Sequence, residues 1–455
     1  MLVSLVLILA EVVVEWPACS LPSPAGTHLA VLSLPSCGAS NNYINTQRGT
    51  KSQLHTRNDQ RCGDMAEFIQ TLPSVWGWLV GDAPAARDAL ARFSWKSPIV
   101  VVKVIDSVLR GIAQVAFGNN PLSGLLILIG LFVGHVNSGL GALLCSLTAI
   151  FTAKVLYWQD DAVAAGHSNF NAVLIGTVTP AVYPIVFREA MPPAVWGYMM
   201  IAAVFTVCVM GGLGRIMEGH NIPALTLPFN IAVSTTFLCV KMAGYGTGTA
   251  APTPDPGAQE DIDWGQVFRG TLLAAGHVWA VEDVACSCLV LLALFIFSPI
   301  LALVSYVGAT LGTLTGLVVS TAPYAAIYQG LWGYNGFLAA GSISFFMVPK
   351  LHILLMAAIN AVFATFLHSA LSPVFAAVSV PLVDHDAANG LPVFTFPFCL
   401  ASVLMLAAAM ASGPPSLRVS SPAFPELHLV QHDRISSDSP VTTKNEDDAV
   451  TQPML

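Results

Sequence analysis

One eight-residue frame occurs twice in this chain, and the distance between its copies constrains the fold more than any other feature. Ile222-Pro-Ala-Leu-Thr-Leu-Pro-Phe229 returns as Leu391-Pro-Val-Phe-Thr-Phe-Pro-Phe398, so Thr226 and Thr395 are equivalent at an offset of 169 residues. Asn171, in His167-Ser-Asn-Phe-Asn-Ala-Val-Leu174, aligns with Asn335, in Leu331-Trp-Gly-Tyr-Asn-Gly-Phe-Leu338, at an offset of 164. Gln114-Val115 aligns with His277-Val278 at an offset of 163. Three motifs in one order at nearly one spacing mark two homologous halves, about 97–242 and 264–411.

The halves lie in a chain that cannot clothe itself for water. Charged residues make up 10% of its 455 residues, against roughly 25% in an ordinary soluble domain. Much of the surface must meet lipid, which excludes a soluble globular enzyme and a disordered protein and predicts an all-α polytopic membrane protein. The net charge of −8 comes with no basic cluster, so nucleic acid is not indicated. No HExxH occurs, Ser123 sits in Pro-Leu-Ser-Gly rather than a nucleophile elbow, and the glycines of Gly244–Gly248 lack a Lys-Ser/Thr partner. Cys286-Ser-Cys288 is a weak metal motif, so neither an enzyme nor a cofactor is expected.

Residues 1–64 read as a poorly ordered extension and 65–96 as an amphipathic cytoplasmic approach to the membrane. In the first repeat, 97–242, spans are expected near 98–116, 136–156, 169–187, 196–214 and 226–242, with a shorter apolar piece at 119–134. A polar loop at 243–263 separates it from the second repeat, 264–411. Spans there fall near 267–281, 295–321, 335–348, 352–373 and 393–411, with a shorter piece at 284–294. Residues 412–455 read as a disordered cytoplasmic tail. Five spans per half is an odd number, so the second half inserts upside down, the plan of permeation proteins with a midplane site between repeats. The shorter pieces then fit re-entrant helices, which need protein or a water-filled cavity around them. Basic residues from Arg48 to Lys96 place the N-terminus inside, and ten spans return the C-terminus to that side.

With these residues in view, the chain resembles the urea transporter family. The resemblance rests on Arg110-Gly-Ile-Ala-Gln114, Asn119-Asn-Pro-Leu-Ser-Gly124, Thr226-Leu-Pro-Phe-Asn230, Gly330-Leu-Trp-Gly-Tyr-Asn335 and the second LPxxTxPF, and covers about 97–411. It implies a homotrimer in the cell membrane, a pore in every protomer, and passive, channel-like flow of urea. It also implies that Thr226 and Thr395 lie at the pore's narrow centre. Phe170 with Leu174, and Tyr334 with Leu338, would form flat slots; Gln114 would sit beside the first short helix, with Phe117 one turn later.

The chemistry of urea fits those residue types. Urea is neutral and planar, with one acceptor and four N–H donors, and desolvating one amide-like group costs roughly 2–7 kcal/mol without replacement. A pore for it needs oxygen acceptors along one edge, which Thr and Gln supply, and apolar plates above and below. Phe and Leu at i and i+4 share a helix face and can build such a plate. Lys103, Asp106 and Arg110 share another face, which pairs internally or at a subunit contact unless it is functional.

Two departures from the family pattern stand out. Asn169 replaces a glycine before Phe170, so it either crowds the slot or adds a hydrogen bond. In the second half Glu282-Asp-Val-Ala-Cys286 replaces an Asp-Asn-Pro-Trp type of sequence, which removes a helix-start proline at Val284. His277 stands where Gln114 stands in the first half; it is either a plain polar vestibule residue or a titrating gate with an unperturbed pKa of ~6.5. The departures keep open a diverged member passing water, ammonia or another small amide. A proton-coupled secondary transporter would have to use Glu282 or Asp283 beside His277.

Overall fold

The computed structural model describes residues 79–245, 261–378, 390–412, 417, 419 and 422–438. The expectations for 1–64, for 65–78 and for most of the loop at 243–263 fall outside them. Apart from a bridge residue at Met347, the regular structure among the described residues is helical.

A short helix, α1 (Pro84–Ala91), precedes the first repeat: α2 (Val100–Gln114), α3 (Pro121–Gly134), α4 (Val136–Val155), α5 (Asp160–Ala164), α6 (Phe170–Phe187), α7 (Ala194–Glu218) and α8 (Leu227–Met242). The second half gives a similar order of long and short helices: α9 (Trp264–His277), α10 (Val284–Phe297), α11 (Pro299–Val319), α12 (Ala325–Tyr328), α13 (Tyr334–Phe346), α14 (Leu351–Ala376) and α15 (Phe396–Ser412). Among the described residues α4, α6, α7, α11 and α14 are long and apolar enough to cross a membrane. The protein is a multi-pass membrane protein. Several ends differ from the expected spans by a few residues: α9 stops at His277 rather than 281, and α10 runs to Phe297 rather than 294.

The short helices start where side chains supply partners for their first N–H groups. Asn120 Oδ1 accepts from Leu122 and Ser123 N–H at 2.8 and 3.1 Å, with Pro121 at the first position. In the second half the missing proline does not spoil the start, because Asp283 Oδ1 accepts from Cys286 N–H at 2.7 Å. Both helices have 14 residues, about 21 Å at 1.5 Å per residue, against a hydrocarbon thickness of ~30 Å. They pack against each other in opposite directions. Ser123 Oγ donates to the Ala293 carbonyl at 2.6 Å, while the α face of Gly130 lies on Cys286 and that of Gly134 on Val281 and Asp283.

The polar face of α2 pairs within the chain. Arg110, 1% exposed, bonds Asp106 at 2.8 Å and the Asp82 and Asn119 carbonyls at 2.8 and 2.7 Å. Lys103 Nζ donates to the Phe93 carbonyl at 2.7 Å. Asn169 adds hydrogen bonds: its Nδ2 donates to the Ser107 carbonyl and Ser146 Oγ at 3.1 and 2.9 Å, tying α6 to α2 and α4.

Beyond residue 412, Pro425–Asp438 form a helix, α16, with its first half held against the body. The Leu417 carbonyl accepts from Val348 N–H at 3.0 Å, and Leu417 and Leu427 are buried. Glu426 Oε1 accepts from Ile300 N–H at 2.8 Å, so the tail caps α11 at a position its own Ser298 leaves free. The polar composition of the tail concealed two anchors, Leu427 and His428, spaced to reach the body from one turn of helix.

His428 Nε2 accepts from Ala423 N–H at 2.9 Å, which requires an unprotonated nitrogen, and burial pushes this imidazole down to about 4. The folded form therefore binds fewer protons than the unfolded between about pH 6.5 and 4, and tail docking weakens as pH falls through that window. Limited proteolysis should leave α16 protected at pH 7.5 and cut it faster at pH 5, with the difference gone in His428→Asn.

Candidate functional site

The two copies of the repeated frame meet at their helix starts. Thr226 immediately precedes α8 and Thr395 immediately precedes α15, and their hydroxyl oxygens are 2.7 Å apart. Four residues on, the pattern is reciprocal. Thr226 Oγ1 lies 3.1 Å from Cys399 Sγ, and Asn230 Nδ2 donates to Thr395 Oγ1 at 2.9 Å. The first turns of α8 and α15 thus overlap head to head. Thr226, Thr395 and Asn230 are each 3% exposed and Cys399 is fully buried.

A threonine at a helix N-cap ordinarily accepts a hydrogen bond from the second or third N–H of its own helix. Here another helix supplies that bond. Asn171 on α6 accepts through Oδ1 from Phe229 N–H at 3.1 Å and donates through Nδ2 to the Leu225 carbonyl at 3.4 Å. Asn335 on α13 does the same for Phe398 N–H at 3.2 Å and the Phe394 carbonyl at 3.3 Å. The caps arrive in trans, and Thr226 makes no side-chain bond to its own helix start. Both hydroxyls are left to face the centre.

The backbone is bent in the same places twice. Leu225 and Phe394, equivalent residues just before the threonines, have φ of 50° and 48°; Phe117 and Ala280, equivalent again, have 68° and 58°. A bulky side chain in the left-handed region costs on the order of 1–3 kcal/mol and persists only where surroundings enforce it. The Asn171 and Asn335 bonds to the Leu225 and Phe394 carbonyls are part of that enforcement. In the second half Tyr334 Oη adds another bond to the Phe394 carbonyl.

Two clusters of aromatic rings include residues of the repeated frames. Phe117 packs with Phe345, Phe346 and Phe398 at centroid distances of 5.5, 6.0 and 6.1 Å. Phe394 packs with Phe229 and Phe237 at 5.8 and 5.9 Å. Phe229 and Phe398 are the last residues of the two frames, and the second frame adds Phe394 and Phe396. Phe170 and Tyr334 open α6 and α13, each 8% exposed, while Leu174 and Leu338 one turn later are fully buried.

Gln114 and His277 are the last residues of α2 and α9. Each carries a buried polar atom without a hydrogen-bond partner, Oε1 of Gln114 and Nε2 of His277. Neither bonds the threonine pair directly. Among the described residues no cluster of His, Cys, Asp and Glu is suited to a metal ion.

The roles of Asn171 and Asn335 were visible in the sequence only as repeat markers, and Asn230 only as the residue following the frame. The signal for Asn171 and Asn335 was their place in duplicated motifs; Asn230 has Cys399 at the equivalent position and carried none. Their function as trans caps and as a bridge depends on which helices meet, which spacing does not reveal.

The chain as a whole is similar to known proteins. A model of the urea transporter family matches residues 105–410. Sheep (Ovis aries) urea transporter 1 is 29% identical over 342 residues, spanning 74% of this chain and 83% of the relative. Rat (Rattus norvegicus) urea transporter 1 is 29% identical over 373 residues, spanning 80% and 88%. The matched stretch includes both threonine frames and both trans-capping asparagines, and the chain belongs to the urea transporter family.

Proposed function

We propose that this protein is a transporter rather than an enzyme and carries urea across the cell membrane by facilitated diffusion, through a pore within each protomer of a homotrimer. The observation that carries the reading is the threonine pair, buried between aromatic clusters and relieved of capping by Asn171 and Asn335. A small planar amide fits between rings, and hydroxyl oxygens answer its N–H groups. The names of the relatives, urea transporter 1, point to the same solute.

The path runs from Gln114 and Phe117, past Phe170 and Leu174, through Thr226 and Thr395, to Tyr334, Leu338 and His277. The two halves insert in opposite senses with five spans each, and α3 and α10 enter without crossing. That arrangement is supported by the antiparallel packing of α3 on α10 and by the reciprocal 226–399 and 230–395 contacts. Both termini then lie in the cytoplasm.

Stopped-flow urea entry into proteoliposomes tests the reading. Wild type should conduct urea without a sodium or proton gradient. Thr226→Val and Thr395→Val should each lower the flux several-fold, the scale of one hydrogen bond worth ~1 kcal/mol. A wild-type rate equal to that of empty liposomes would sink the urea assignment and move the assay to water and ammonia. Flux that needs a proton gradient would establish coupled transport instead.

A further inference from the structure

We propose that Asn230 supplies the open hydrogen-bond acceptor at the centre of the path and is a specificity-determining residue there, an inference that rests on the urea-conducting reading above.

The argument is a count of partners. Four polar side chains meet at the crossing of α8 and α15: Thr226, Asn230, Thr395 and Cys399. The threonine hydroxyls are 2.7 Å apart, so one donates to the other and neither oxygen is idle. Thr395 Oγ1 also accepts from Asn230 Nδ2 at 2.9 Å. The same Nδ2 donates to the Thr226 main-chain carbonyl at 2.8 Å. A carbonyl can only accept, so this bond fixes which end of the Asn230 amide is nitrogen. The other end, Oδ1, is buried and has no partner.

A buried carbonyl oxygen left unpaired is disfavoured, and a solute bearing N–H groups can answer it. Urea offers four such hydrogens. A solute of similar size with none would leave the oxygen bare, and a site built to bond a substrate's N–H rejects analogues that lack it.

The acceptor is one-sided. Asn230 and Cys399 each stand four residues after the threonine of their frame. The second half therefore places a thiol, a weak acceptor, where the first half places an amide. The same comparison gives a gentle substitution, since the fold already accepts cysteine in the equivalent environment.

The test is urea flux in proteoliposomes for wild type, Asn230→Cys and the exchange Asn230→Cys/Cys399→Asn, with reductant present because the new thiol would lie beside Cys399. Asn230→Cys should lose urea flux by about tenfold, the effect of one hydrogen bond to the passing solute. The exchange should recover most of it, because the amide then projects into the centre from the equivalent position. A packing role for Asn230 predicts no recovery, since the exchange alters both helices. Wild type at the empty-liposome rate would overturn the urea reading itself. Fast wild type with an unchanged Asn230→Cys would overturn this inference alone. A slow single variant and an equally slow exchange, both with cooperative thermal unfolding, would also overturn it by assigning the loss to helix packing.

Discussion

Asn171→Ala and Asn335→Ala should each reduce urea flux at least as much as loss of the corresponding threonine hydroxyl. Removing Asn171 takes from the Phe229 N–H and the Leu225 carbonyl the side chain that bonds them in a buried setting. Each unsatisfied group costs about 1–3 kcal/mol, and a lost cap costs ~1 kcal/mol. The nearest remedy is Thr226, whose hydroxyl stands at the N-cap position and can turn to its own helix. Doing so takes it from Thr395. The substitution should therefore lower thermal stability by about 2–3 kcal/mol and also disable the centre. The decisive measurement is a double-mutant cycle on flux. Asn171→Ala combined with Thr226→Val should be little slower than Asn171→Ala alone, because the first change already removes the hydroxyl from the centre. Additive losses would show that the trans cap and the hydroxyl act separately.

The largest stability effect is expected where two helices touch backbone to backbone. A Cβ added at Gly141 on α4 would lie 2.0 Å from the Gly176 carbonyl oxygen on α6, and one added at Gly176 would lie 2.1 Å from the Gly141 oxygen. The second half uses the same device between α11 and α13, where a Cβ at Gly308 would lie 2.4 Å from the Gly336 oxygen. Small residues let membrane helices approach this closely, where lipid gives no hydrophobic drive to associate. The obstructing atom is main chain, so the whole helix must move. Gly141→Val and Gly308→Val should each cost more than about 3 kcal/mol and yield little monodisperse protein in detergent. Gly212→Val is the control: no atom lies within 4 Å of its Cβ position, so it should change stability by less than about 0.5 kcal/mol. Equal behaviour of Gly141→Val and Gly212→Val in size exclusion and thermal unfolding would refute the close-contact account.

Much of this architecture was legible from residues alone, for a physical reason. A span that meets lipid must be apolar, and a duplicated chain repeats its signals, so the helix order and the equivalence of Thr226 with Thr395 followed from periodicity and offset. The start of α10 was expected at 284, where it lies, but what caps it was not legible, because the proline that commonly opens such a helix is missing. Asp283 performs the capping through its side chain, and a single capping residue is a weak signal beside a lost Pro. Of the two roles open to Asn169, crowding a slot or adding a hydrogen bond, it takes the second, toward Ser107 and Ser146. The contacts of 417–428 with Ile300, Phe345 and Val348, far away in sequence, leave no mark in the tail's own polar composition. Contacts between distant segments leave little trace in a single sequence, and the centre of this protein is made of them.

The seam of α3 on α10, together with the head-to-head threonines, bears on ancestry. A forebear encoding one half would have presented a serine reaching for a carbonyl and a threonine reaching for a threonine, needs that a second copy lying antiparallel would meet. Two copies of such a half packed antiparallel would make a homodimer. Fusion of the genes keeps the second copy permanently at hand. It also releases a constraint that identical subunits cannot escape. Gln114 and His277, like Asn230 and Cys399, are differences across the seam that only a fused chain can inherit.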